Sequence, residues 1–178
     1  YHGRKAVYQQ GVGTNVWQAV SPILDTGAYI SAIGPSPVDG DYLWAGCENG
    51  SLFVSTNGGV KWTGVTINGL PKRYIRDVIP SGSEAGTAWV CYSGYGTGHI
   101  FVTKDAGKTW TDISTTMPDI PVNALAVVAS NEKVIFAGTD IGVFATFNGG
   151  DSWFPFGKSL PRAPVLDMRV YDEKNLRS

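Results

Sequence analysis

Short apolar runs built from β-branched and aromatic residues recur along this 178-residue chain, and clusters of Gly, Asn, Asp, Ser and Pro separate them. That is the punctuation of strands and tight turns rather than of amphipathic helices. The pattern also repeats at long range. Three octamers align without gaps: Ser55-Thr56-Asn57-Gly58-Gly59-Val60-Lys61-Trp62, Thr103-Lys104-Asp105-Ala106-Gly107-Lys108-Thr109-Trp110 and Thr146-Phe147-Asn148-Gly149-Gly150-Asp151-Ser152-Trp153. An apolar strand precedes each, at Leu52-Phe53-Val54, Ile100-Phe101-Val102 and Val143-Phe144-Ala145. Another lies around Trp44, Trp89 and Phe136. Farther upstream, a third begins at Ile30, Ile75 and Val122 and returns a fourth time at Val165. Successive octamer tryptophans are 48 and 43 residues apart and the first-strand starts 45, 47 and 43 apart, so the unit is about 45 residues.

Four strands in about 45 residues leave no room for a helix, which is the arithmetic of a β-propeller blade. The expected fold class is therefore all-β, with four-stranded antiparallel blades of strands A to D. The spacing predicts three full blades within 28–70, 71–118 and 119–160, flanked by partial blades at 1–27 and 161–178. Strands C and D of the first partial blade are placed at 5–10 and 16–20, with Trp17 lying 45 residues before Trp62. Their turn, Gly11-Val12-Gly13-Thr14-Asn15, departs from the octamer. Strand A of the last partial blade is placed at 165–171. An open strand A beside an unpaired strand C is an edge that proteins avoid, so a segment of a larger propeller is preferred over a closed four-bladed ring.

Each octamer falls on the turn between strands C and D. Asn57, Asp105 and Asn148 are placed to bond backbone amides ahead of them, and Gly59, Gly107 and Gly150 stand where a positive φ is expected. Ser55, Thr103 and Thr146 offer hydroxyls to the same turns, and the tryptophans cover them. These boxes resemble the Asp-box, or bacterial neuraminidase repeat, of the sialidase, family 74 xyloglucanase and sortilin-like β-propellers. The likeness is greatest to bacterial Asp-box proteins in which a segment like Gly138-Thr139-Asp140-Ile141-Gly142-Val143-Phe144 precedes the box and one like Leu160-Pro161-Arg162-Ala163-Pro164-Val165 follows it. The resemblance implies that the boxes are structural and that the protein is bacterial in type and extracellular or periplasmic.

Composition narrows the partners. With 14 Lys plus Arg against 15 Asp plus Glu the net charge is −1, so no basic field attracts nucleic acid. No stretch approaches the ~18 to 20 apolar residues of a membrane-spanning helix. His2 and His99 stand without a third ligand at metal spacing, and no cofactor motif is present. Gly94-Tyr95-Gly96-Thr97-Gly98 precedes no helix and is not read as a phosphate loop. Asn49-Gly50-Ser51 fits a glycosylation sequon. The two cysteines, Cys47 and Cys91, follow B-strand positions offset by one, which leaves open whether they point toward each other or apart.

In a propeller the B-to-C and D-to-A connections share the face on which ligands enter. The B-to-C connections bring Glu48, then the longest loop with Tyr92, Tyr95 and His99, then Asp140. The D-to-A connections bring Arg73, Tyr74 and Arg76, then Asp119, then Arg162. Two functions compete. As a binding scaffold, Tyr92 and Tyr95 would stack on a glycan or protein, with His99, Arg73 and Tyr74 beside them. As part of a glycoside hydrolase, Asp140 is the candidate catalytic carboxylate, since Asp140-Ile141-Gly142 resembles the Asp-Ile-Gly stretch of family 74 enzymes. Its partner carboxylate would be Glu48, Asp119, or a residue on further blades supplied by the parent chain or another subunit. A sialidase would need three arginines, for which Arg73, Arg76 and Arg162 lie in suitable loops without matching a motif.

Overall fold

The structure, a computed structural model, describes residues 2–11, 13–65, 69–157 and 159–170. Expectations that fall on Val12, on Thr66 and on 171–178 lie outside the described residues. Fifteen strands and no helix make up the described chain: β1 (His2–Gly3), β2 (Val7–Gln10), β3 (Trp17–Ala19), β4 (Ile30–Pro35), β5 (Tyr42–Cys47), β6 (Leu52–Thr56), β7 (Trp62–Gly64), β8 (Ile75–Pro80), β9 (Ala88–Tyr92), β10 (Ile100–Thr103), β11 (Thr111–Asp112), β12 (Val122–Val127), β13 (Ile135–Thr139), β14 (Gly142–Thr146) and β15 (Phe154–Phe156). They form antiparallel sheets β4-β5-β6-β7, β8-β9-β10-β11 and β12-β13-β14-β15, preceded by the three-stranded β1-β2-β3. The fold is all-β, a partial β-propeller.

The innermost strands start at Ile30, Ile75 and Val122, as the periodicity predicts, and each carries a β-bulge one residue in, at Ser31, Arg76 and Asn123. Adjacent sheets meet through these strands. Ser31 Oγ donates to the Ile75 carbonyl at 2.7 Å, and a Cβ on Gly46 would come within 2.5 Å of Ile75. The central blade is covered on both sides, which explains why β9 is apolar without alternation. Ala88, Val90 and Tyr92 pack with Trp44, Val54 and Val65 of the preceding blade, whereas Trp89 and Cys91 pack with Val122, Leu125 and Ile135 of the following one. Each large side chain so buried contributes about 1.5–3 kcal/mol.

The octamers close identical turns. In the first, Ser55 Oγ donates to Asn57 Oδ1 at 3.1 Å and accepts Gly59 N at 2.9 Å, while Asn57 Oδ1 accepts Lys61 N at 2.8 Å. Thr103 and Asp105 repeat this toward Gly107 and Thr109, and Thr146 and Asn148 toward Gly150 and Ser152. Gly59, Gly107 and Gly150 have φ of +92°, +84° and +104°. Their lack of a Cβ serves a second purpose. A Cβ there would strike Val20, Val65 and Ile113, the residues three beyond the preceding blade's tryptophan, so every turn seats on its neighbour. Trp62 Nε1 donates to the Val20 carbonyl at 2.9 Å and Trp153 Nε1 to that of Ile113 at 2.6 Å. Trp110 Nε1, in contrast, is buried without a partner among the described residues, and its ring meets Trp44 edge-on at 6.0 Å.

The flanks differ from expectation in two ways. The first sheet has a third strand, β1, paired through His2 and Tyr8 and through Gly3 and Val7, in the position of strand B. At the other end, 161–170 contains no strand among the described residues. Val165 nevertheless occupies the strand-A position: its amide donates to the Thr139 carbonyl at 2.9 Å, and it covers Gly138 as Ile75 covers Gly46. No described strand lies on its far side to draw it into a ladder.

Cys47 and Cys91 are free thiols and both are buried. Gly46 faces the second blade, so Cys47, one residue on, faces the first sheet. Cys91 faces the third blade. The thiols point apart.

Candidate functional site

The longest B-to-C connection, from Ser93 to His99, is held from both sides by the D-to-A connections that flank its blade. From the preceding one, Arg73 lies against Gly94 and donates from Nη2 to the Tyr95 carbonyl at 3.3 Å. From the following one, Asp119 accepts Gly96 N through both carboxylate oxygens, at 2.8 and 2.9 Å, and pairs with His99 Nε2 at 3.0 Å. The loop can make this path because Gly94 and Gly96 adopt φ of +102° and +77°. At its tip Tyr95 is 56% exposed. At the start of the loop the Tyr74 carbonyl accepts Ser93 N at 3.0 Å, and the Tyr74 side chain, 37% exposed, carries the Arg76 guanidinium 5.1 Å from its ring centre.

Two expected surface residues are not on the surface. Tyr92 is the last residue of β9, has no exposed area, and packs edge-on against Phe101 at 5.7 Å. Burial pushes its hydroxyl well above the ordinary tyrosine range. The stacking role expected of it is therefore withdrawn: the strand runs one residue farther than the aromatic-and-glycine pattern suggests. His99 is 3% exposed, and its amide donates to Ser114 Oγ at 2.8 Å. It supports the loop from beneath.

The remaining candidates are dispersed. Asp140, at the β13–β14 turn, accepts Asn123 Nδ2 at 2.8 Å from the bulge of β12. Glu48 is exposed in the equivalent turn of the first blade, where its amide donates to the Tyr29 carbonyl at 3.0 Å. Arg162 borders a separate hollow of about 350 Å³ with Ile141, Phe156 and Leu160. The Asn49-Gly50-Ser51 stretch is tied down by Asp25, which accepts Asn49 Nδ2 at 2.9 Å and Ser51 Oγ at 2.8 Å. Those bonds, the Asn49 one foremost, hold the Asp25 carboxyl below its usual range.

Sequence reasoning missed Asp25, Asp112, Ser114 and Asn123. Ser114 donates to Asp112 Oδ1 from both N and Oγ, at 2.8 and 2.6 Å, beside His99. A signal was present: at the fourth-strand position where this blade has Asp112, the others have Gly64 and Pro155. A cavity of about 760 Å³ lies elsewhere, on the open flank of the first sheet among Lys5, Tyr8, Trp17, Ile23 and Tyr29. Apolar surface predominates in its lining, and Arg4, Lys5 and the two tyrosines also border it. Among the described residues no three His, Cys, Asp or Glu side chains are grouped to hold a metal ion, and no helix is long and apolar enough to cross a membrane.

Comparison with known proteins supports the fold. No protein-family model matches the chain, and no curated protein matches it. Among solved structures, an ancestral GH74 enzyme superposes with a TM-score of 0.70 at 19% identity, over 88% of this chain and 22% of that one. The GH74 xyloglucanase from Xanthomonas campestris gives 0.59 at 14% identity, over 75% of this chain and 24% of its own length. YCF48 bound to D1 peptide gives 0.62 at 17% identity, over 83% and 45%. This chain therefore spans between about a fifth and a half of the propeller proteins it resembles.

Proposed function

We propose that this chain is a binding module of an Asp-box propeller, and that it takes a glycan or protein ligand on the face formed by the 93–99 loop and its two flanking connections. The observation that carries this reading is the double clamp on that loop. Arg73 and Asp119 fix a glycine-rich segment whose exposed tip is a tyrosine, and a rigid aromatic held by its neighbours binds with little loss of conformational freedom. The three four-stranded sheets are read as blades within 28–70, 71–118 and 119–160, with partial units at 1–27 and 161–178. The rest of the ligand face would come from further blades of the parent chain or of another subunit. An extracellular or periplasmic setting follows the same resemblance, and one structural neighbour, YCF48, is known with a peptide bound.

A second reading, part of a glycoside hydrolase, is supported by the likeness to GH74 enzymes and by Asp140, which Asn123 orients at the tip of its turn. Screening the chain on oligosaccharide and peptide arrays, with reducing ends assayed in parallel on xyloglucan, separates the two. The binding reading expects retention of a ligand with no release of reducing ends. Release that disappears in Asp140→Asn would replace it with the hydrolase.

A further inference from the structure

The connection that clamps the 93–99 loop from the preceding blade carries Lys72, Arg73 and Tyr74 and enters β8 at Ile75-Arg76, so three cations fall within five residues of a chain whose net charge is −1. All three are exposed. The repeats provide an internal control, because what a blade requires recurs in every blade. After the pairs Leu70-Pro71, Met117-Pro118 and Leu160-Pro161, Arg73 is matched by Ile120 and Ala163. Aligned on the strand starts at Ile30, Ile75, Val122 and Val165, Arg76 is matched by Ser31, Asn123 and Leu166. At that bulge position Ser31 and Asn123 each hold another element: Ser31 Oγ donates to the Ile75 carbonyl at 2.7 Å, and Asn123 Nδ2 to Asp140 at 2.8 Å. Arg76 holds none. It forms no hydrogen bond or ion pair among the described residues and lies over the Tyr74 ring instead. Blades are thus built without an arginine at either position.

None of the three charges is neutralised within the protein. The ion pairs among the described residues join His99 to Asp119 and Arg169 to Asp167, and Glu48, exposed on the neighbouring B-to-C turn, pairs with none of them. Both guanidiniums are positioned before a ligand arrives: Arg73 lies against Gly94 with Nη2 on the Tyr95 carbonyl at 3.3 Å, and Arg76 stands 5.1 Å from the Tyr74 ring centre. Each keeps further N–H donors. Side-chain acceptors on the adjoining connections are largely taken up, Asp119 by Gly96 N and His99, and Asn49 Oδ1 by Ser51 N at 3.0 Å. Sugar hydroxyls need donors and acceptors together, whereas a carboxylate takes donors alone and pairs bidentately with a guanidinium. The exposed rings of Tyr74 and Tyr95 add apolar area beside the charges, and tyrosine with arginine is the composition of a protein-binding patch.

We infer that this face binds an acidic peptide segment, whose side-chain carboxylates are received by Arg73 and Arg76 beside Tyr74 and Tyr95. The inference rests on the proposed ligand face and narrows its ligand from glycan or protein to an anionic stretch of protein. Fluorescence anisotropy of a dye-labelled peptide of alternating alanine and glutamate, at physiological salt, tests it against two controls: the same peptide with glutamine for glutamate, and unlabelled trigalacturonate as a carboxylated sugar competitor. The expected result is saturable binding of the glutamate peptide alone, resistant to trigalacturonate and weakened at least about tenfold in Arg76→Gln. Arg76 has no hydrogen-bond partner to lose among the described residues, and an unchanged melting temperature confirms the fold of the variant. Lys61→Gln, which removes a charge from a C-to-D turn, is expected to leave binding unchanged. Equal binding of the glutamine peptide, displacement by trigalacturonate as effective as by unlabelled glutamate peptide, an unchanged constant in Arg76→Gln, an equal loss in Lys61→Gln, or no saturable binding in the millimolar range each overturns the inference. Array capture that depends on Tyr95 reads the wider face independently, so failure here with that capture intact removes the acidic ligand alone.

Discussion

Of the three equivalent residues Asn57, Asp105 and Asn148, only Asp105 carries charge. Both Thr109 groups, hydroxyl at 2.6 Å and amide at 2.9 Å, donate to its carboxylate. These bonds, the hydroxyl foremost, pull its pKa from 3.8 to about 2. A carboxyl depressed on folding stabilises the native state above the unfolded value, and that contribution drains away as pH falls from 3.8 toward 2. Melting curves of the native chain and of Asp105→Asn are expected to keep a constant separation above about pH 5 and to converge as pH falls to about 2. The tryptophans make a second contrast at this scale. Trp153→Phe strands the Ile113 carbonyl that its indole N–H now reaches, which costs about 1–3 kcal/mol beyond lost packing. Trp110→Phe removes an indole N–H that has no partner among the described residues, so it loses packing alone. Urea denaturation is expected to rank Trp153→Phe as the more damaging by about 1 kcal/mol or more.

Between elements, contact is set by small residues placed where a neighbouring blade arrives. Gly150 combines a φ of +104° with a Cβ position only 2.5 Å from Ile113, so Gly150→Ala has to displace either its own turn or the preceding strand end. A loss of about 1–3 kcal/mol is expected, measured by chemical denaturation. The same packing isolates the cysteines. Burial pushes the Cys47 thiol up to about 12 and holds Cys91 well above its ordinary value. Ellman's reagent is expected to find no reactive thiol in the native chain and two after denaturation. Strand starts at Ile30, Ile75 and Val122 were legible because each of these bulged inner strands begins with a β-branched apolar residue. The end of β9 was not. Tyr92 lies between an apolar run and a glycine-rich stretch, and its burial comes from Phe101 and the neighbouring blade, which local pattern does not report.

Across the whole molecule, periodicity made the architecture readable and left the chemistry half-hidden. A repeated unit announces itself through spacing, so the sheet order follows from the sequence alone. A binding site is the opposite case, since it consists of departures from the repeat. Tyr95 was found because the 93–99 loop is visibly long, and Arg73 and Asp119 because they fall in the D-to-A connections, whereas Asp112 and Ser114 emerge only when corresponding positions are compared. Trp17 and Tyr29, at 47% and 48% exposure, mark the open flank of the first sheet rather than this face. The claim on which the account turns is that the second blade presents Tyr95 as a fixed platform for a ligand. It is tested most directly by the dissociation constant of an array-selected ligand, measured for the native chain and for Tyr95→Ala at matched melting temperature. At least a tenfold weakening is expected, as for a central aromatic anchor; an unchanged constant would contradict the account.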